Sequence, residues 1–123
     1  MKIIYCLRRL STLSHDEFRR HWTEIHAPLV RAHRRELRIV RYVQVQTEWG
    51  PLSEKLRRFR GSPEPYDGVA EIWYESREAL ETLGRDPAAR AASLKLLEDE
   101  RLFVDTARSP IWVGEDAHVI RLD

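Results

Sequence analysis

The chain has 123 residues, 42% of them hydrophobic and 33% charged, which describes one soluble globular domain over residues 1–123 with material for a single core. With 21 basic against 20 acidic residues the formal charge is only +1, so composition gives no electrostatic reason to bind nucleic acid or a membrane surface. The lone Cys6 excludes an intrachain disulfide, no apolar run reaches membrane-spanning length, and the opening MKIIYCLRRL is too short for a secretory leader, so a reducing cytoplasm is the expected compartment.

Ile3 to Leu7 is rich in β-branched and aromatic residues and predicts a buried strand. Ser14 followed by Glu17 forms a capping box that opens a helix, on which Phe18, Trp22, Ile25 and Leu29 fall at helical spacing and define one apolar stripe. His26 and His33 lie at the edge of that stripe. Pro28 lacks the N–H that would meet the carbonyl of Glu24, so the helix is expected to bend, or to end and restart, within a residue or two of His26. A titratable ring beside that break, bordered by Trp22 and Ile25, is a candidate pocket wall.

Ile39 to Thr47 alternates and predicts a second strand, with Ile39, Arg41, Val43 and Val45 on one face and Val40, Tyr42, Gln44 and Gln46 on the other. Trp49 to Tyr66 reads as a long connection punctuated by Gly50, Pro51, Gly61, Pro63 and Pro65, with one or two helical turns from the spacing of Leu52, Leu56 and Phe59. Its length suits a lid, and Arg57, Arg58 or Arg60 could pair a substrate carboxylate. Asp67 to Tyr74 is the third strand, with Val69, Glu71 and Trp73 on one face. Ser76 to Leu83 is helical, and Asp86 with Pro87 caps a further helix through about Glu100. Phe103, Val104, Ile111 to Val113 and Val119 to Leu122 offer the last strand or strands.

The order is βαββαβ, a ferredoxin-like α+β arrangement. Two helices cover only one face of a four-stranded antiparallel sheet, so the face carrying Val43, Val45, Val69 and Trp73 is expected to pack against a second copy as a homodimer.

FRRHWTEIHAPLVRAH, YDGVAEIWYESREAL and LFVDTARSP, taken together, resemble the signature of the EthD family, and the HAPLV run is the most specific of these matches. The resemblance implies a dimeric α+β barrel of ferredoxin-like protomers, related in fold to muconolactone isomerases. It also implies cofactor-independent and metal-independent chemistry on aromatic, polyketide-derived or lactone-type substrates, by decarboxylation, dehydration, cyclisation or isomerisation. Asp67, Phe103 and Asp105 fall on the family pattern.

His26 is the leading candidate for proton transfer, because an imidazole titrates near neutral pH. Glu71, on a strand face expected to be covered, could act as a buried acid or orient His26, and Tyr42, on a central second strand, could present its hydroxyl to a substrate oxygen. Trp22, His33, Asp67, Trp73 and Asp105 are candidates for substrate binding. His15, His21 and His118 read as solvated, and Cys6 as a small core residue. His26 and His33 are seven residues apart, no H-x-x-x-H pair exists, and no metal site is expected. The expected partner is a compact apolar or aromatic molecule. The alternative is a non-catalytic ligand-binding or stress-associated protein of the same fold. An RNA-recognition domain shares the strand order, but the balanced charge and the missing aromatic motif on the third strand disfavour it.

Overall fold

Strand β1 (Lys2–Leu7) lies between β3 (Gly68–Tyr74) and β4 (Ile111–Gly114), and β2 (Ile39–Gln46) closes the other edge, giving the order β2-β3-β1-β4 with every neighbour antiparallel. This computed structural model describes all residues, Met1–Asp123. The architecture is α+β and consistent with a ferredoxin-like fold. No helix is long and apolar enough to cross a membrane.

The first helical region is one continuous rod of three parts: α1 (His15–Arg20), a π-helical turn (His21–His26) and α2 (Ala27–Ala32). The capping box forms as the sequence indicates, Glu17 N–H donating to Ser14 Oγ and Ser14 N–H to Glu17 Oε1, each at 3.1 Å. The apolar stripe differs from expectation. Phe18, Trp22, His26 and Val30 are the buried residues, whereas Ile25 is 53% exposed. Four-residue spacing advances an α-helix by about 400° per step, so three steps would carry Val30 about 120° away from Phe18. The wider π turn absorbs that drift and keeps all four on one face. In this turn the Ala27 N–H reaches back five residues to the Trp22 carbonyl, and the helix passes through Pro28 instead of ending there.

The connection predicted to be largely irregular contains a three-turn helix, α3 (Pro51–Arg60). The residues read as loop punctuation are its ends: Pro51 occupies the first helical position, and Gly61, at φ 62°, supplies the left-handed residue that terminates it. Helix α4 (Arg77–Thr82) runs into a 3₁₀ turn at Leu83–Arg85, and α5 (Pro87–Glu100) is capped by Asp86 accepting from Ala88 N–H at 3.0 Å. Beyond α5, Val104 makes only an isolated bridge to Arg9, and Val119 to Leu122, offered as strand, form none.

Strand β2 also departs from simple alternation. Ile39 pairs with Tyr74 and Arg41 with Trp73, so Val40 is an extra, bulged residue. The bulge turns Ile39 to the helix side together with Tyr42, reversing its predicted face. It lies on an edge strand, which corrects the central position expected for Tyr42. The core packs Tyr5, Leu7 and Ala70 of the sheet against Phe18, Trp22, Phe103 and Val104. Gly68 is required there, because a Cβ on it would lie 2.5 Å from the Trp22 ring.

Candidate active site between the helices and the sheet

A small cavity of about 50 Å³ lies between the first helical rod, α5 and the sheet, walled mainly by apolar side chains. Five polar groups face it: His26, Glu100, and the phenols of Tyr5, Tyr42 and Tyr74. His26 owes its place to the π turn, which holds it in line with Trp22 on the buried face. Its Nδ1 bonds Asp99 Oδ2 at 2.8 Å, while the other carboxylate oxygen of Asp99 bonds His21 Nε2 at 3.0 Å. Residues five apart on an α-helix point about 140° from each other. In the π turn they come near enough to share one carboxylate.

The Phe103 ring braces both histidines, with centroids 4.5 Å from His21 and 5.2 Å from His26. With Asp99 accepting from Nδ1–H, the neutral tautomer leaves a lone pair on His26 Nε2, which has no hydrogen-bond partner in the protein. Burial holds the His26 pKa below its ordinary value, and the hydrogen bond and charge of Asp99 only partly oppose this. The imidazole is therefore neutral at pH 7.

Glu100 behaves in the opposite sense. Burial pushes its carboxyl up to about 7, against the opposing influence of the nearby Tyr5 hydroxyl, and the charge of neighbouring Asp99 adds to the rise. Burial likewise raises Tyr42 and takes Tyr74 up to about 12, so these phenols stay protonated as donors. Tyr42 Oη also accepts from Gln44 Nε2 at 3.0 Å, and the same amide nitrogen donates to the Trp22 carbonyl at 2.9 Å. The cavity thus places an unprotonated base, a carboxylic acid and three hydroxyls around one apolar space.

Of the residues singled out from sequence, His26, Tyr42 and Trp22 meet at this cavity. The others lie elsewhere. Glu71 projects from the opposite face of the sheet, 2.8 Å from Lys2 Nζ, and cannot orient His26; Asp99 occupies that position. Trp73 shares the open face, with Lys2 and Arg41 each 4.7 Å from its ring. Asp67 is buried at the end of β1, bound to Arg9 Nη1 at 3.0 Å, and Asp105 follows Val104, 3.9 Å from Arg108. His33 caps the C-terminus of α2. His21, read as solvated, is partly buried against Asp99.

Asp99, Glu100, Tyr5 and Tyr74 were not picked out as site residues. One signal was available: Glu98, Asp99 and Glu100 place negative charge at the C-terminal end of a helix, where the helix dipole disfavours it. No group of three His, Cys, Asp or Glu side chains has an arrangement that could hold a metal ion.

The EthD domain, as a sequence family, matches residues 10–107. The crystal structure of an ethyl tert-butyl ether D (EthD) family protein from Bacillus halodurans C-125 is similar in fold, with a TM-score of 0.61 at 17% identity over 94% of this chain and 96% of that one. No curated protein matches the sequence. A match that spans the capped first helix, strands β2 and β3 and α5 is sufficient to place the chain: it belongs to the EthD family.

Proposed function

We propose that the cavity bounded by His26 and Glu100 is the active site of a cofactor-independent enzyme that moves protons on a compact apolar or aromatic substrate, in a lyase or isomerase reaction. The observation that supports this most directly is the pairing of an Asp99-oriented, neutral His26 with a carboxyl that keeps its proton up to about pH 7. Environments that push two titratable groups toward complementary protonation states assign one as base and the other as acid. His26 Nε2 would take the proton from a carbon next to a carbonyl. A tyrosine hydroxyl would donate to the oxyanion that develops, and Glu100 would return a proton elsewhere on the substrate.

The cavity is smaller than any such substrate, so access requires an opening. A groove of about 280 Å³ between α2 and the bulged edge of β2 shares Val30, Ile39 and Tyr42 with the cavity, and supports a route past those side chains. Arg31, Arg34 and Arg41 flank this groove. A homodimer packed through the open sheet face is part of the same reading, because Ile4, Val43, Val45, Val69, Trp73 and Trp112 share that face and Val45 is 50% exposed. Light scattering should return about twice the 14.6 kDa chain mass, and a monomer at micromolar concentration would refute it.

The catalytic reading is tested by screening aromatic and lactone-type carbon acids for protein-dependent hydrogen exchange in D₂O, then comparing His26→Ala with the parent on any active compound. Removal of the base should lower kcat/KM by about a hundredfold or more. Turnover at the parent rate would sink the assignment. A variant that only melts earlier, with no compound exchanged by the parent, would favour a ligand-binding protein in which His26 is structural.

A further inference from the structure

On the far side of Leu7 from the cavity, the end of β1 and helix α3 enclose an open cleft of about 510 Å³, which shares no residue with the His26 cavity. That volume falls within the roughly 300–1,000 Å³ of small-molecule sites. The chemistry of the two spaces is opposite, since only one of the cleft's 13 lining residues, Trp49, is hydrophobic. Arg8, Arg9, Arg57 and Arg108 face it, against Glu54, Glu64 and Asp67.

Existing partners decide which of these charges are available. Asp67 is committed to Arg9, accepting from its Nη1 at 3.0 Å and its backbone N–H at 2.9 Å. Glu54 is divided between Arg57 at 3.4 Å and Arg58 at 3.1 Å, and Arg108 lies 3.9 Å from Asp105. Arg8 has no carboxylate within 4.0 Å; its Nη1 donates to the neutral Pro65 carbonyl at 2.9 Å, and its guanidinium lies over the Tyr66 ring at 4.2 Å. Arg57 Nε is shielded from solvent without a hydrogen-bond acceptor, because Glu54 approaches it outside bonding geometry. A cation without a counter-charge and a buried N–H without an acceptor both favour an anionic oxygen. Beside them the rings of His15 and Trp49 stack in parallel, 4.2 Å apart at 5°, and present a flat wall.

We propose that this cleft is a second ligand site, which takes the carboxylate or phosphate of a small planar molecule on Arg8 and Arg57 and lays its ring against the Trp49–His15 stack. Glu64, with no cation within 4.0 Å, stands at the same cleft and selects against ligands carrying further negative charge on that side. Guanidinium groups pair with planar carboxylates and with phosphates through parallel hydrogen bonds, and aromatic faces add area without a polarity requirement.

The test is an NMR titration that follows the Arg57 Nε–H and Trp49 indole N–H signals with three probes: inorganic phosphate, benzoate and phenyl phosphate. Saturable shifts with benzoate, phenyl phosphate or both are expected, at least tenfold tighter than with inorganic phosphate, and the two aromatic arms distinguish a carboxylate from a phosphate ligand. Arg8→Gln and Arg57→Gln should each weaken binding by about tenfold. Arg57 lies on an exposed helix, so its variant keeps the measurement meaningful if Arg8→Gln impairs folding. His26→Ala, in the other cavity, should leave these shifts unchanged. Absence of saturation up to about 50 mM, or undiminished binding in Arg57→Gln, overturns the proposal.

Discussion

Two glutamates on opposite sides of the same sheet have opposite fates. Glu71, on the open face, meets the Lys2 ammonium at 2.8 Å, and that ammonium is also 2.8 Å from Asp116. Glu100, on the helix side, lines an apolar cavity beside the Tyr5 phenol with no cation paired to it, and its carboxyl keeps a proton up to about pH 7. Both are glutamates near strand residues of alternating pattern. What differs is the neighbour: a cation fixes the first as a structural charge, and desolvation leaves the second as an acid that can exchange its proton near neutrality.

The largest effect that would sharpen this contrast comes from Phe103, fully buried against the rings of Phe18, His21 and His26. Phe103→Ala should cost about 3–5 kcal/mol in denaturant unfolding. Trp112→Ala on the open face, where the ring is 48% exposed, should cost clearly less per protomer. Equal losses would erase the distinction between the face packed inside the protomer and the face left open for a second copy.

Next in size is the pH dependence. An unfolded glutamate ionises near pH 4.5, whereas folded Glu100 holds its proton to about 7. Between those values the unfolded state binds fewer protons, so this group's contribution to stability falls as pH rises through the window. His26 acts in the other direction: its folded pKa lies below the ordinary 6.5, so stability is lost as pH falls below 6.5, where only the unfolded ring takes up a proton. Glu100→Gln should therefore stabilise the protein at pH 8, by up to roughly 3 kcal/mol, and have little effect at pH 4. Isothermal unfolding at the two pH values checks this, and a variant destabilised equally at both would contradict it. The smallest change is expected from Glu71→Gln, which should leave the rate and its pH profile intact once a substrate is known. A profile shifted like that of Glu100→Gln would break the comparison.

Local signals in the sequence carried much of the fold. The Ser14–Glu17 box, the Asp86–Pro87 start of α5 and the apolar runs of β1 and β3 are each decided by neighbouring residues, and they form where the sequence indicates. What escaped depends on irregular periods. The π turn makes a four-residue spacing bury His26 and Val30, where an α-helical count favours Ile25 and Leu29. The bulge at Val40 moves Ile39 across the sheet by the same kind of one-residue displacement. In α3 the glycines and prolines counted as breakers were terminators of a helix whose interior spacing was already helical. The site was legible only in part, because His26, Trp22 and Tyr42 come from segments with strong motifs, while Asp99 and Glu100 acquire their meaning from what α5 packs against. Nothing in the strand alternation alone distinguishes the helix face of β3 from its open face, so it does not reveal that Glu71 projects away from the cavity that Glu100 lines.

Counted in charge, the cluster of His21, Asp99 and His26 has one carboxylate for two rings. A single carboxylate balances a single imidazolium, and a second proton would leave uncompensated positive charge in a largely buried place. A proton on His21, the more exposed ring, acts through its field against one on His26. Burial acts in the same direction and more strongly, so His26 stays a free base at pH values that would silence a solitary histidine.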